Sequence, residues 1–468
     1  MRYQFFGLIA SLFLLLSGAA ESQQAISFSN ELLQGLQSYE LQLEEFESEF
    51  GPLSENLLEP LGSIAALLET QGDYEGLMEI QNRQLALMRI NLGLEHPDLV
   101  PLVRLMVENQ KRLGNWEAIT DQLELIRSLQ LAIYGSHSDE FFAAIEGQAF
   151  WYLTLLNIDM RSRPGRNFIR ARDLYKELED LAEDRYGEDS PELFPWYYKR
   201  ANNLAQLVAL LNSDDKLTGS VLDEVVRADG VMKLEQYTPP YLTSAWGVTN
   251  RLPLVAKDRL IGEAYLRDGL RRINKIRDIA EETGDKEALA MANLYHGDFR
   301  ILMNQGGSRS YRRAYEQFLE IGVDTERIEA LLNQPIAIPL PTFFDRFADL
   351  EAYQVANTSN GTTVEDLLYV GDFTAWDEDA KSIAKPQSKD PLLHVELPYY
   401  QADLKFRLST RGKTSSIDVL HSEPEERGVE RRAYRALRDI FFRPSIVEGK
   451  VTRIRDLQIR YYYFERNN

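Results

Sequence analysis

Apolar residues recur at helical spacing through the first two thirds of the chain. Leu61, Ile64, Ala65 and Leu68 form one stripe, and Leu77, Ile80, Leu85 and Met88 a second, interrupted at Gln84. Positions three and four apart share one face of a helix, so each stripe predicts an amphipathic helix. Between them stands Gly72-Asp73-Tyr74-Glu75, and the same punctuation returns 42 residues later as Gly114-Asn115-Trp116-Glu117. A longer turn, Leu92-Gly93-Leu94-Glu95-His96-Pro97-Asp98, recurs as Tyr134-Gly135-Ser136-His137-Ser138-Asp139, and more loosely as Tyr186-Gly187-Glu188-Asp189-Ser190-Pro191-Glu192. Each unit is therefore predicted as helix, tight turn, helix, longer turn. Glycine suits a helix C-terminus because it takes left-handed backbone at least cost. Asp98 and Asp139 are placed to cap the helices that follow. Units of this kind stack, because none buries its apolar face alone.

The pattern is regular over about residues 57–140 and degenerate over about 141–330. Tyr237-Thr238-Pro239-Pro240 and Leu252-Pro253 break helices within 213–260. Helical periodicity resumes over Lys257–Thr283 and Glu287–Asn304. The run Pro-Ile-Ala-Ile-Pro-Leu-Pro-Thr at 335–342 ends the helical region, and polar stretches after it predict a linker over 335–395. The apolar period then falls to two. Leu404, Phe406 and Leu408 alternate with Lys405 and Arg407, Arg411-Gly412-Lys413 reads as a hairpin turn, and Ile417-Asp418-Val419 continues as a second strand. Val429–Phe441 reads as a helix with Ala433, Leu437 and Ile440 on one face, and Leu457, Ile459, Tyr461 and Tyr463 as a last strand. The predicted fold is mostly α: a helical solenoid, then a small α+β domain in the order β-β-α-β.

The helical units resemble tetratricopeptide repeats in the kinesin-light-chain-like form of about 42 residues. Gln71-Gly72-Asp73-Tyr74-Glu75, Leu113-Gly114-Asn115-Trp116-Glu117 and the Glu95-His96-Pro97-Asp98 turn carry the likeness. Phe168-Ile169-Arg170-Ala171 and Tyr311-Arg312-Arg313-Ala314 look like starts of further second helices. The resemblance implies a concave groove, lined by the first helix of each unit, that holds protein or peptide partners. It places Arg104, Asn202 and Asn203 at positions where the family uses side chains to bond a bound peptide's backbone.

Residues 396–468 resemble the C-terminal domain of TonB-type energy transducers. The carriers are Leu404–Gly412, Ile417–Ser422, Phe442-Arg443-Pro444, Glu448-Gly449-Lys450-Val451 and the strand Leu457–Phe464. This likeness implies a domain with an edge strand. A strand edge accepts a partner strand through backbone hydrogen bonds, so Tyr461 and Tyr463 join the candidate binding residues. A transducer variant contacting outer-membrane receptors stands as the alternative to a plain scaffold.

The N-terminus narrows the setting. Arg2 precedes the uncharged apolar run Phe5–Leu16, and Ser17-Gly18-Ala19-Ala20 supplies small residues for cleavage. That is the layout of a signal peptide over 1–20, too short for a comfortable span of about 20 residues. It predicts a periplasmic protein of the bacterial envelope, with an inner-membrane anchor facing the periplasm as the alternative. The helical repeat domain then runs over 21–334.

Charge and chemistry add exclusions. The net charge is −21, which disfavours nucleic acid as a partner. Residues 401–468 hold 15 Lys/Arg and 10 Asp/Glu, a net of 15 − 10 = +5, so the remainder carries −21 − 5 = −26. There is no cysteine, hence no disulfide, thiolate metal site or cysteine nucleophile. The five histidines fall into no metal-ligand spacing, and His96 and His137 sit in repeat turns. No phosphate loop or nucleophile elbow occurs. The expectation is a protein without catalysis, cofactor, metal or small-molecule substrate.

Overall fold

The computed structural model describes residues 32–158, 164–212, 254–359 and 399–464. The predicted signal segment 1–20, most of the irregular stretch 213–260 and the later part of the predicted linker lie outside them. The chain divides into two compact units, Met1–Gly135 and Ser136–Asn468.

In the first unit, helix α1 (32–50) is followed by α2 (Leu58–Gln71), α3 (Tyr74–Leu92), α4 (Leu99–Leu113) and α5 (Trp116–Tyr134). Successive helices from α2 onward pack on one another. The sequence period is thus a structural one. Gly72 and Gly114 end α2 and α4 in left-handed backbone, at φ 75° and 70°. The Asp73 N–H then reaches back to the Leu68 carbonyl at 3.0 Å, closing the helix end. Asp73 caps α3 by accepting the Gly76 N–H at 3.0 Å. Leu43, Leu57, Leu61, Ile64, Leu68, Leu77 and Leu87 form the core of this unit; each buried leucine contributes about 1.5–3 kcal/mol.

The expected caps at Asp98 and Asp139 are corrected. Asp98 already has helical backbone (φ −66°, ψ −13°) and makes no side-chain cap bond, because capping requires an extended residue whose oxygen can turn back over the first turn. His96 Nδ1 instead accepts the Asp98 N–H at 3.3 Å. At the second site, within the other unit, Ser138 Oγ accepts the Phe141 N–H at 3.2 Å. Asp139, one residue inside the helix, takes the Arg185 guanidinium at 2.6 Å.

The second unit opens with α6 (Asp139–Ile158), α7 (Pro164–Tyr186) and α8 (Phe194–Asn212), and continues with α9 (Leu254–Glu282), α10 (Lys286–Leu302), α11 (Ser308–Glu320) and α12 (Thr325–Asn333). Neighbours pack in order, α6 on α7 through α10 on α11. A further repeat mark emerges here. Gly284 has φ 73° and Asp285 accepts the Ala288 N–H at 3.0 Å, so Gly284-Asp285-Lys286-Glu287 repeats the turn first seen at Gly72. Gly-Asp-x-Glu was its signal in the sequence.

The C-terminal part comprises β1 (Ile336–Ile338), α13 (Phe347–Ser359), β2 (Tyr399–Leu408), β3 (Thr414–Glu423), α14 (Arg427–Asp439), β4 (Phe441–Arg443), β5 (Ile446–Val447), β6 (Lys450–Val451) and β7 (Ile454–Phe464). An antiparallel sheet runs in the order β3-β2-β7, with α14 packed on β3 and β2. Leu404, Phe406, Ala433, Leu437, Leu457 and Ile459 fill the space between. The architecture is a mostly helical repeat region followed by a small α+β part in the predicted β-β-α-β order.

The predicted linker, 335–395, begins with structure rather than loop. Strand β1 pairs antiparallel with β4, Ile336 opposite Arg443 and Ile338 opposite Phe441. Pro335 and Pro339 suggested a break, but prolines flanking a three-residue strand withhold no ladder bond from it. Beneath this pairing Arg443 is fully buried and forks onto Asp298 of α10, at 2.9 and 2.5 Å. The Tyr311 hydroxyl donates to the same carboxylate at 2.9 Å. Burial opposes the Arg443 charge, yet Asp298 outweighs it and the net shift is upward.

A candidate peptide-binding groove

Helix α8 presents Tyr198 and Asn202 to the segment that follows β1. The Tyr198 hydroxyl donates to the Leu340 carbonyl at 2.8 Å. The Asn202 amide donates to the Leu340 and Pro341 carbonyls at 3.3 and 3.4 Å. From α10, the Tyr295 hydroxyl donates to the Thr342 carbonyl and accepts the Phe344 N–H, both at 3.0 Å. Glu287 accepts the Phe347 N–H at 2.9 Å, and Asp285 holds Arg346 at 2.8 Å. These helices therefore grip an extended stretch of chain, 340–347, chiefly by its backbone.

Side chains complete the hold. Phe343 is 7% exposed. Its ring lies 4.8 Å from Tyr295, 5.8 Å from Phe194 and 5.9 Å from Tyr198. Phe347 meets Phe318 edge-on at 5.1 Å. Burial pushes the Tyr198 and Tyr295 phenols far up, so both stay protonated as donors. Hydrogen bonds to carbonyls recognise an extended chain whatever its sequence, and the aromatic cage adds preference for an apolar residue.

Asn203, the next residue of α8, faces elsewhere. It is 1% exposed, and its oxygen accepts from Arg200 at 3.4 Å. Arg200 also donates to the Arg172 carbonyl at 2.6 Å and lies 3.8 Å from Glu179. Arg272 of α9 holds the same Glu179 at 2.9 Å. Burial lowers Arg200 to about 10, against the pull of Glu179 and Asp268, and burial raises Glu179. This buried charged layer joins α7, α8 and α9. Of the two asparagines, one meets backbone and the other an ion network.

The remaining candidates lie apart from this groove in sequence and in element. Arg104 is exposed on α4, beside Leu105 at 56% exposure. Tyr461 and Tyr463 lie in β7, opposite Ala402 and Tyr400 of β2. Trp151, Tyr152, Tyr197 and Tyr198 are buried, and Trp196 is half-buried, edge-on to Phe142 at 5.0 Å. Sequence reasoning missed Tyr295, Glu287 and Asp285. Glu287 and Tyr295 fall in the predicted helix Glu287–Asn304, and the Gly284-Asp285 turn would have marked its start, with Asp285 as the cap.

No family model matches the chain, and no curated protein matches it. Among solved structures, BtubC (BKLC) from P. vanneervenii is similar over 62% of this chain and 92% of its own, at 15% identity and a TM-score of 0.27. The fold described above rests on the chain's own helix pairs and strands.

Proposed function

We propose that this protein is a non-enzymatic scaffold of the bacterial cell envelope that binds protein partners as extended segments on its helical surfaces. The observation that carries this is the grip of Tyr198, Asn202 and Tyr295 on the backbone of 340–344. A helical surface built to hold an extended chain already does so within this molecule. In the first unit the corresponding helix face, around Arg104 and Leu105 of α4, is exposed and is assigned here to a partner's segment. The leader-like N-terminus supports export to the periplasm, and the absence of a catalytic sequence motif supports a binding role.

A photo-crosslinking residue at position 105, introduced into the protein in its native cells, tests this. A discrete adduct with an envelope protein is expected, and its loss on Arg104→Glu. Position 105 yielding no adduct would end the assignment. The β-β-α-β order of the C-terminal part favours a second reading, a TonB-type transducer variant. It requires a retained N-terminal anchor, so a mature chain starting near Glu21 by mass spectrometry excludes it.

A further inference from the structure

Asn202 is only half used by the segment it grips. Its amide nitrogen donates to the Leu340 and Pro341 carbonyls at 3.3 and 3.4 Å. Its side-chain oxygen is buried with no hydrogen-bond partner, in a residue 7% exposed. The peptide nitrogen between those two carbonyls belongs to Pro341 and carries no hydrogen. A buried acceptor left unpaired forfeits its hydration and gains nothing in return. The segment that fills the groove is thus mismatched at one atom to the side chain that holds it. Any residue other than proline at 341 would bring a donor to that place.

The segment is anchored on either side of the mismatch. Before it, β1 pairs with β4 up to Ile338. After it, Arg346 meets Asp285, and Phe347 gives its N–H to Glu287 and its ring to Phe318. Residues 339–345 therefore form a strap that can leave α8 and Tyr295 while both of its ends stay fixed. A tethered strap competes for the groove at an effective concentration on the order of millimolar. A separate segment making the same contacts has no such advantage. One that also satisfied the Asn202 oxygen would gain about tenfold over the strap.

We propose that residues 339–345 are a displaceable self-ligand, which closes the groove of α8 and α10 until an extended partner segment takes its place. That segment carries an N–H where Pro341 has none and an aromatic ring where Phe343 sits. The exchange is like for like at Tyr198, Tyr295 and the aromatic cage, and unequal only at Asn202. Proline at 341 keeps the groove filled yet open to exchange, whereas an N–H at the same position would lock the strap in. The inference rests on reading these helices as a peptide groove. The crosslink at position 105 reports on the first unit instead, so either can fail while the other stands.

Two fluorescent peptides spanning residues 338–347 test this, one with the chain's own sequence and one with Pro341→Ala. Each is titrated with the full chain and followed by anisotropy. The own-sequence peptide is expected to bind with a Kd of about 1 mM, set by the tethered competitor. The Pro341→Ala peptide binds about tenfold more tightly. Pro341→Ala in the chain seats the donor in the strap and cancels that gain, returning the same peptide to about 1 mM. Phe343→Leu in the chain loosens the strap and tightens both peptides about tenfold. Asn202→Ala abolishes the difference between the peptides. No binding of the Pro341→Ala peptide to the wild-type chain overturns the proposal, as do equal affinities of the two peptides for it. A preference that survives Asn202→Ala overturns it as well. The Pro341→Ala chain keeps the aromatic cage whole, so it decides even if Phe343→Leu fails to melt cooperatively: an unchanged affinity there also overturns the proposal.

Discussion

Removing one partner from the Asp298–Arg443 pair leaves a charge with neither water nor counter-ion, because both side chains are 2% exposed. Breaking a buried pair costs about 3–5 kcal/mol, whereas replacing both members with apolar residues is often neutral. Arg443→Met is therefore expected to lower stability by about that amount in urea unfolding. Asp298→Leu combined with Arg443→Met loses less than either change alone, provided Tyr311→Phe removes the hydroxyl that would otherwise lose its acceptor. The paired asparagines make a second contrast. Asn202→Asp sets a buried carboxylate against two carbonyl oxygens, and is expected to cost about 3 kcal/mol or more. Asn203→Asp offers its charge to Arg200 and is expected to stay within about 1 kcal/mol. Equal losses at the two positions would show that the 340–341 backbone is not what Asn202 serves.

At the scale of elements, the anchor between α10 and the extended segment responds to pH. The hydrogen bond from Arg346 holds Asp285 below its ordinary range, outweighing partial burial. A lowered carboxyl contributes stability above its unfolded value of about 3.9, and loses it as pH falls through the folded value. Arg346 is half exposed, so the contribution is below about 1 kcal/mol. Asp285→Asn keeps the cap on Ala288 and removes the charge. It is expected to lower the melting temperature near pH 6 and to match wild type near pH 2. A gap that persists in acid would assign the anchor to something other than this ion pair. Helices were legible in the sequence where glycine and apolar spacing coincide, as at Gly72 and Gly114. Strand β1 was not, because three apolar residues between prolines look like a break until β4 supplies their partner from about a hundred residues away. The groove was half legible for the same reason. Asn202 sits on a periodic helix, while its acceptors, Leu340 and Pro341, lie in a segment with no period of its own.

At the scale of the molecule, the C-terminal α+β part is not self-contained. Strand β4 takes its partner β1 from before residue 339, and Arg443 takes its counter-ion from α10. Gly412, at φ 70°, lies so close to the Phe442 carbonyl and to Ile301 of α10 that an added Cβ would collide with both. A fragment of residues 396–468 would lose β1, Asp298 and Ile301 at once. It would retain the β3-β2-β7 sheet and α14, a core smaller than domains of under about 70–80 residues usually need without a staple, with an arginine bereft of its partner. Such a fragment is expected to show no cooperative melt by circular dichroism and few dispersed amide resonances. Residues 32–135 hold a core of their own, so they are expected to fold alone. A well-folded 396–468 fragment would mean that β1, Asp298 and α10 merely decorate an autonomous module. Its failure would mean that whatever the C-terminal strands and α14 engage is held rigidly to the helices that grip the 340–347 backbone, so that a load on one is felt by the other.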